Sequence, residues 1–147
     1  MKKITVKNYQ NSECQKFEQN GNKFNVIPVI KNEENRQYVI NFVEVEPGNY
    51  AYGYNWHEMN EEAFYIISGN GVVKTEKEEI SVKSGDVITF PTGAEGAHVI
   101  KNCSETEKLI YIDFDTNNKS EIVHFPEINK IMAIGSLKPR CAAFSKT

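Results

Sequence analysis

The sequence has too little positive charge for a nucleic-acid partner and no apolar stretch long enough for a membrane partner. It carries 17 Lys and Arg residues against 20 Asp and Glu residues, which gives a formal net charge of -3. Such a chain offers no basic field to a phosphate backbone, so we predict no nucleic-acid partner. No apolar run approaches the roughly 20 residues of a membrane-spanning helix, so we predict no membrane partner. The basic start lacks the apolar segment and cleavage site of a signal peptide, and we expect a cytoplasmic protein.

Cysteine is also scarce. The three cysteines, Cys14, Cys103 and Cys141, lie far apart and form no Cys-x-x-Cys pair. A zinc knuckle or a redox pair is therefore not predicted, and we interpret all three as reduced thiols. With 147 residues, the chain is long enough for one domain with a packed core.

No stretch of the sequence has the long 3.6-residue apolar period of an amphipathic helix. Short segments rich in β-branched and aromatic residues alternate with turns, which predicts a closed or sandwiched antiparallel β architecture. Residues 38–46 and 50–57 flank the turn Pro47-Gly48-Asn49, and we expect them to form a hairpin. Pro28 favours an edge strand or an irregular arm, because proline cannot donate a ladder hydrogen bond. The other predicted strands are residues 63–68, 72–74, 79–82, 87–90, 108–114 and 122–125.

Two clusters of polar side chains stand in the middle of this β pattern. In a strand, alternate side chains share a face, so Asn55 and His57 point one way while Trp56 points the other way. By the same alternation, His98 shares a face with Ile100. If the two strands are neighbours, the imidazoles of His57 and His98 converge on one place.

The spacing of these clusters resembles the paired motifs of the cupin superfamily over residues 39–115. Glu62 and Gly69 stand at the first motif's spacing from His57, and Asn55 occupies the position where the family usually has its first histidine. The loop before the histidine of the second motif is longer than usual, a form that resembles a branch of small bacterial cupins of mostly unassigned activity. The second motif is matched by Gly85, Pro91, Gly93, His98 and Asn102.

The resemblance implies an all-β, single-domain fold, the double-stranded β-helix or jelly-roll barrel of cupins. Residues 38–115 would form the barrel core that bears the motifs, with residues 1–37 as an N-terminal arm and residues 116–147 as a C-terminal extension. The family also implies a homodimer. Possible edge strands in both extensions favour the same state, because their unpaired backbone groups need partners.

The resemblance also places a divalent metal ion inside the barrel, on His57, Glu62 and His98. Two imidazoles and a carboxylate suit open-sited iron(II) and, in other geometries, catalytic zinc. Asn55 is then a fourth ligand through its amide oxygen, or a group that orients water. An amide oxygen is a harder ligand than an imidazole nitrogen, which favours manganese over softer metals. The candidate ions are iron, manganese, zinc and nickel.

Alternation places Phe64, Ile66 and Ile100 on the side of the predicted metal ligands. The substrate cavity is therefore expected to be largely apolar with one polar end. Glu95 lies in the lengthened loop at the predicted mouth and is a candidate acid or base. No other residue is assigned a catalytic role.

Two tyrosines are expected to lie outside the cavity. Tyr52 and Tyr54 share the face of Trp56, where they would pack or contact a second subunit. His124 lies outside both motifs, and no partner is predicted for it.

Two functions fit this pattern. The first is a metal-dependent enzyme of the oxygenase or isomerase type, in which the metal acts as a Lewis acid or binds oxygen and a small organic substrate. The second is a non-catalytic protein that binds or senses a small carbohydrate-like or acidic ligand. The fold does not choose between them, because this architecture hosts many functions. A metal-free protein serving assembly is disfavoured by three ligands in register.

Overall fold

The computed structural model describes residues 3–31, 36–135 and 141–145, and these form strands joined by loops and short 3-10 turns. The all-β prediction is confirmed: the described residues contain no α-helix. No helix among them is long and apolar enough to cross a membrane. The strands are β1 (Gln15–Gln19), β2 (Asn22–Ile30), β3 (Tyr38–Val45), β4 (Tyr50–His57), β5 (Glu62–Ser68), β6 (Asn70–Lys74), β7 (Glu79–Lys83), β8 (Val87–Phe90), β9 (His98–Asn102), β10 (Leu109–Thr116), β11 (Glu121–Phe125), β12 (Lys130–Ile134) and β13 (Cys141–Ser145).

The strands form two groups that enclose one interior. The first group runs β2-β3-β10-β5-β8, and in the second β4 pairs with β9 and β11 while β6 pairs with β9 and β7. A single parallel bridge, Asn22 to Tyr50, joins β2 to β4. Buried side chains from both groups belong to one hydrophobic cluster, among them Val43, Phe64 and Tyr111 from the first group and Val73 and Ile100 from the second. The sheet is therefore curled around a shared core.

The predicted hairpin between β3 and β4 is wrong. β3 pairs with β2 and β10, whereas β4 pairs with β9 and β11. The turn itself is present, because the Asn49 N–H donates to the Glu46 carbonyl at 3.1 Å and Gly48 has a φ of 74°. It carries the chain from one strand group to the other. A Pro-Gly turn predicts a change of direction, but it does not determine which strand becomes the partner.

Gly69 makes a second crossing between the groups. β5 pairs with β10 and β8, but β6, which follows after this one residue, pairs with β7 and β9. Gly69 has a φ of 89°, and a Cβ there would lie 2.6 Å from the Lys108 carbonyl oxygen. Only glycine fits such a corner without strain.

Both terminal extensions add strands to the fold. β2 pairs with β1 and β3 and buries Phe24 and Val26 in the core cluster. β2 is not an edge strand, because it pairs with β1 and with β3. Pro28 lies beyond the residues that pair with β1, so its missing N–H leaves no gap on that side. At the other end, β11 pairs with β4 and with β12. This C-terminal hairpin lies next to the strand that carries His57.

Candidate metal centre and cavity

A cavity of about 220 Å³ lies between the two strand groups. One wall is polar and comes from β4, β5, β9 and β10, and an apolar wall comes from the C-terminal hairpin. The cavity is lined by Val39, Asn41, Ala51, Tyr52, Asn55, His57, Asn60, Glu62, Phe64, His98, Ile100, Tyr111, Asp113, Asp115, Thr116, Asn117, Val123, Phe125, Met132 and Ile134.

His98 is held in one orientation by its neighbours. Its Nδ1 atom lies 2.8 Å from the Gly96 carbonyl oxygen, and its ring stacks on Phe90 with centroids 3.5 Å apart. A proton on Nδ1 donates to that carbonyl, which leaves the Nε2 lone pair facing Glu62 Oε2 at 3.3 Å. Burial lowers the pKa of His98 to about 4. The imidazole is therefore neutral near pH 7, the form in which histidine binds metals.

His57 lies between two carboxyl groups. Its Nε2 atom is 3.8 Å from Glu62 Oε2, and its Nδ1 atom is 3.5 Å from Glu121 Oε2. The Nδ1 contact is an ion-pair distance without hydrogen-bond alignment. Val123 in β11 is the register partner of His57 in β4, which brings Glu121 to the imidazole from the C-terminal hairpin.

Glu121 holds both the loop after β4 and the His57 ring. It is 1% exposed, and its carboxylate accepts four backbone N–H bonds of 2.6 to 3.1 Å. Burial would raise the pKa of Glu121, but the contact with His57 and the bonds from Met59 and Asn60 outweigh it and lower the pKa. A carboxylate behind a metal-binding histidine fixes the orientation of its ring. The N–H donors belong to Glu58, Met59, Asn60 and Ile122.

Three more carboxyl groups, those of Glu62, Asp113 and Asp115, line the cavity from β5 and β10. Glu62 and Asp115 are register partners across these two strands. Burial, reinforced by the neighbouring carboxyl groups, raises the pKa of Glu62 and of Asp115 well above the usual range. Burial also raises the pKa of Asp113 to about 6, against the opposing contacts with Glu62 and His57. The carboxyl groups of Glu62, Asp113 and Asp115 therefore have too little positive charge near them to offset their burial.

Several buried atoms in this group have no hydrogen-bond partner, a rare condition in folded proteins. Glu62 Oε2 and Asp115 Oδ1 are two of them, and Glu62 Oε2 faces both imidazoles. His57, Glu62 and Asp115 each offer a ligand atom, and these atoms lie within 4.8 Å of one another. Imidazole and carboxylate donors at this separation fit a divalent cation, which would satisfy the unpartnered oxygens.

The residues predicted from the sequence are only partly brought together. His57, Glu62 and His98 meet, and Asn55 lies opposite His98 in the register, with its Nδ2 donating to the Gly53 carbonyl at 2.8 Å. Phe64 and Ile100 line the cavity. Ile66 does not line it: this residue is fully buried in the hydrophobic cluster, one pleat further along β5. Glu95 is exposed in the 3-10 turn before β9 and does not reach the cavity.

The predicted position of Tyr52 on the outer face of β4 is wrong. This residue lies in the cavity wall rather than on the outer face, because β4 is irregular between Ala51 and Asn55. Tyr52 has a φ of 62° and Gly53 a φ of 124°, so two consecutive residues leave the extended conformation and turn the side chain inward. Although 40% of Tyr52 is exposed, burial of its hydroxyl, followed by the negative charge of Asp113, raises its pKa well above the usual range.

Four residues of the site, Tyr111, Asp113, Asp115 and Glu121, were missed by the sequence reasoning. The first three alternate along β10 on one face, behind the buried Leu109. Two carboxyl groups on the apolar face of a strand were a signal that could have found them, because an inward charge needs a partner. Glu121 had no such signal, since its bonded N–H groups are mostly about sixty positions away.

His124 has neighbours that the sequence did not predict. Its ring stacks on Trp56 with centroids 3.8 Å apart, and its Nε2 lies 2.6 Å from Glu58 Oε1. Neither aromatic ring lines the cavity. This stack supports β4 and β11 from the side away from the metal ligands.

The sequence and the fold were compared with those of known proteins. A cupin domain model matches residues 41–114, which is half of the chain. No curated protein matched the sequence. Among solved structures, a sugar phosphate isomerase of the cupin superfamily from Silicibacter pomeroyi is similar, with a TM-score of 0.74 and 18% identity over 84% of this chain and 76% of that one.

Two other solved structures share the fold. A polyketide cyclase from Streptomyces resistomycificus has a TM-score of 0.66 and 14% identity over 79% of this chain and 81% of that one. A predicted oxalate decarboxylase from Thermotoga maritima has a TM-score of 0.67 and 17% identity over 78% of this chain and 100% of that one. The sequence motifs, the curled β-sheet and the family match agree, and the protein belongs to the cupin family.

Proposed function

We propose that this cupin is a metal-dependent enzyme of the isomerase type, which moves a proton within a small organic molecule held in the cavity. The observation that carries the proposal is the unpartnered Glu62 Oε2, buried between two imidazoles and opposite Asp115. A cavity of about 220 Å³ is small for a binding site, since drug-sized ligands occupy roughly 300–1,000 Å³. The substrate is therefore a compact molecule.

The metal would be held by His57, Glu62 and Asp115, with His98 as a further imidazole within 3.3 Å of the Glu62 carboxylate. Asn55 faces the same space as a weaker oxygen donor. Two carboxylates make the donor set richer in oxygen than the predicted one, which favours manganese or iron(II) over copper and zinc. When bound, such an ion acts as a Lewis acid on a substrate oxygen.

The chain supplies its own groups for proton transfer. Asp113 lies next to the ligands without being one of the three that converge, and its Oδ1 atom has no partner. The Asp113 carboxylate, which has a second oxygen, can accept a proton from a substrate carbon. The Tyr52 and Tyr111 hydroxyls lie beside the same carboxyl groups and can donate a hydrogen bond to a substrate oxygen. An acceptor and donors around one small cavity favour isomerisation over a role in binding alone.

The metal site is tested by elemental analysis of the purified protein with Glu62→Gln and Glu61→Gln variants. Glu61 is the matched control, because it is the neighbouring residue and is exposed. We expect a bound divalent metal in the wild type and in Glu61→Gln, and its loss from Glu62→Gln. Equal metal contents in the two variants would contradict the proposed site.

Activity is tested with the metal-loaded protein in deuterated water. Small hydroxy- and amino-carbonyl compounds are incubated with the enzyme, and carbon-bound deuterium is measured by mass spectrometry. An isomerase that moves a proton exchanges it with solvent. Incorporation by the wild type that is lost in Asp113→Asn supports the proposal, and incorporation that is equal in both removes Asp113 from it.

The cytoplasmic homodimer stays a prediction. The nearly complete exposure of two apolar side chains near the N-terminus, Ile4 at 97% and Val6 at 94%, supports a second subunit as their cover. Light scattering coupled to size exclusion measures the mass of the assembly directly.

A further inference from the structure

The cavity wall is unusual in the sign of its charges. Three carboxyl groups line it, and among the described residues no Lys or Arg does. Arg36, which is close in sequence to the lining residue Val39, points elsewhere: its guanidinium donates to the Lys3 carbonyl. A carboxylate or phosphate group of a substrate would therefore meet like charges without a cationic side chain to offset them.

Three unpartnered buried atoms remain after the metal ligands are assigned, and one of them, His57 Nδ1, lies 3.5 Å from Glu121 Oε2. His57, Glu62 and Asp115 account for one set of atoms. Asp113 Oδ1 and the Tyr111 hydroxyl belong to no ligand set and have no hydrogen-bond partner, although Asp113 is 3% exposed and Tyr111 is fully buried. The Asp113 carboxyl group otherwise interacts with Asn41, Glu62 and Asp115. Tyr111 and Asp113 both lie on the inward face of β10, two positions apart. Their oxygens can each accept a hydrogen bond, and no Lys or Arg of the described part of the chain lines the cavity to donate one.

The wall contributed by the C-terminal hairpin is chemically different. It consists of Val123, Phe125, Met132 and Ile134, which come from β11 and β12. A ligand that spans this cavity therefore meets oxygen acceptors at one end and hydrocarbon at the other. Methionine is common at such walls, because its flexible side chain adapts to the shape of a ligand.

We propose that the substrate is a small organic cation, an ammonium group on a short apolar body, with its N–H groups directed at Asp113 Oδ1 and the Tyr111 hydroxyl. The inference deepens the proposed function by naming the substrate class of the same site. An ammonium carries three donors and no acceptor, which matches the unpartnered acceptors. An ammonium group also offsets the negative carboxyl charge that a bound metal does not neutralise, whereas an anion adds to that charge.

The test uses three probes of nearly equal size: n-butylammonium, butan-1-ol and butyrate. Their binding to the full chain is measured by calorimetry at neutral pH, both without metal and with manganese bound. A hydrogen bond to a charged group is strong enough to change affinity by about tenfold or more. We expect butylammonium to bind at least about tenfold more tightly than butyrate, with butan-1-ol between them.

An Asp113→Asn variant locates the effect. It keeps the shape of the side chain and removes its charge. In this variant, butylammonium should therefore bind only about as tightly as butan-1-ol. Glu105→Gln is the control, because it changes the net charge equally at an exposed site, and it should keep the wild-type preference. Since the three-probe comparison in the wild type needs no variant, it decides the matter even if Asp113→Asn fails to fold.

Four outcomes would overturn the inference. Butyrate could bind as tightly as butylammonium, or butylammonium could fail to bind at millimolar concentration. Folded Asp113→Asn could keep the wild-type preference for butylammonium over butyrate, or manganese could displace butylammonium. The last would place the ammonium on the metal ligands rather than on Asp113. A protein that retains no metal but prefers butylammonium would contradict the proposed function alone, and one that retains metal without the preference would contradict only this inference.

Discussion

Replacing Glu121 with glutamine should damage both the stability of the protein and its metal site. Glutamine has the same shape but only one acceptor oxygen. That oxygen can keep the three N–H bonds made to Oε1, from Glu58, Met59 and Ile122. The new NH2 group would then face the Asn60 N–H, which now lies 2.6 Å from Oε2. A donor would meet a donor in a buried place.

The size of this effect follows from the bonds that change. A hydrogen bond to a charged group contributes about 1.5–3 kcal/mol, and an unsatisfied buried donor adds a further penalty. We expect the free energy of unfolding to fall by about 3 kcal/mol in Glu121→Gln at neutral pH. Urea unfolding with a chelator present measures it without a metal contribution. Glu105→Gln, an exposed control, should stay within about 0.5 kcal/mol of the wild type.

The pH dependence provides a second, independent check. The pKa of Glu121 in the folded protein is lowered from its ordinary value of 4.5, so the carboxylate stabilises the fold above that value. The stabilisation is lost as the pH falls through the lowered pKa. The difference between the wild type and Glu121→Gln should therefore shrink below about pH 4.5. A variant as stable as the wild type at pH 7, or a difference independent of pH, would refute the role given to Glu121.

Two further predictions concern the metal ligands. In Gly96→Ala, the new Cβ would lie 1.9 Å from the Pro91 carbonyl oxygen and displace the loop that holds His98. Thermal unfolding should therefore show that the free energy of unfolding falls by about 1–3 kcal/mol. The control is Gly135→Ala, which should be near neutral because no atom lies within 4 Å of its Cβ. Because burial raises the pKa of Glu62 and Asp115, these groups hold their protons to a higher pH in the metal-free protein, and metal binding should release protons from them. Calorimetry in two buffers with different ionisation enthalpies measures this release, and identical heats in both would contradict it.

The sequence predicted the class of fold for local reasons, and the cupin motifs supplied the candidate metal ligands. Strand-length apolar segments between Gly and Pro turns indicate antiparallel β structure. Alternation put Asn55 and His57 on one face of their strand and His98 and Ile100 on one face of theirs, and all four line the cavity. Glu62 was assigned through the cupin resemblance, and it lines the cavity as well. The inferences from alternation concern neighbours along the chain, where the period of two applies.

The rest depended on contacts between distant segments or on departures from regular geometry. The β3–β4 hairpin was wrong, because partner choice is decided by packing of the two strand groups rather than by the turn. Tyr52 was placed on the wrong face, because its φ of 62° interrupts the alternation of β4. The role of Glu121 exists only after β11 has docked against β4. No local pattern contains that information.

The crossings at Gly48 and Gly69 also bear on how the protein reaches its folded state. Since consecutive strands leave for different partners, many pairings close long loops, which makes folding slow in β proteins of this kind. The three converging ligands, on β4, β5 and β10, come together only when both strand groups have assembled. An ion that binds there stabilises an arrangement formed late, so its main kinetic effect is to retard unfolding and lengthen the lifetime of the native protein.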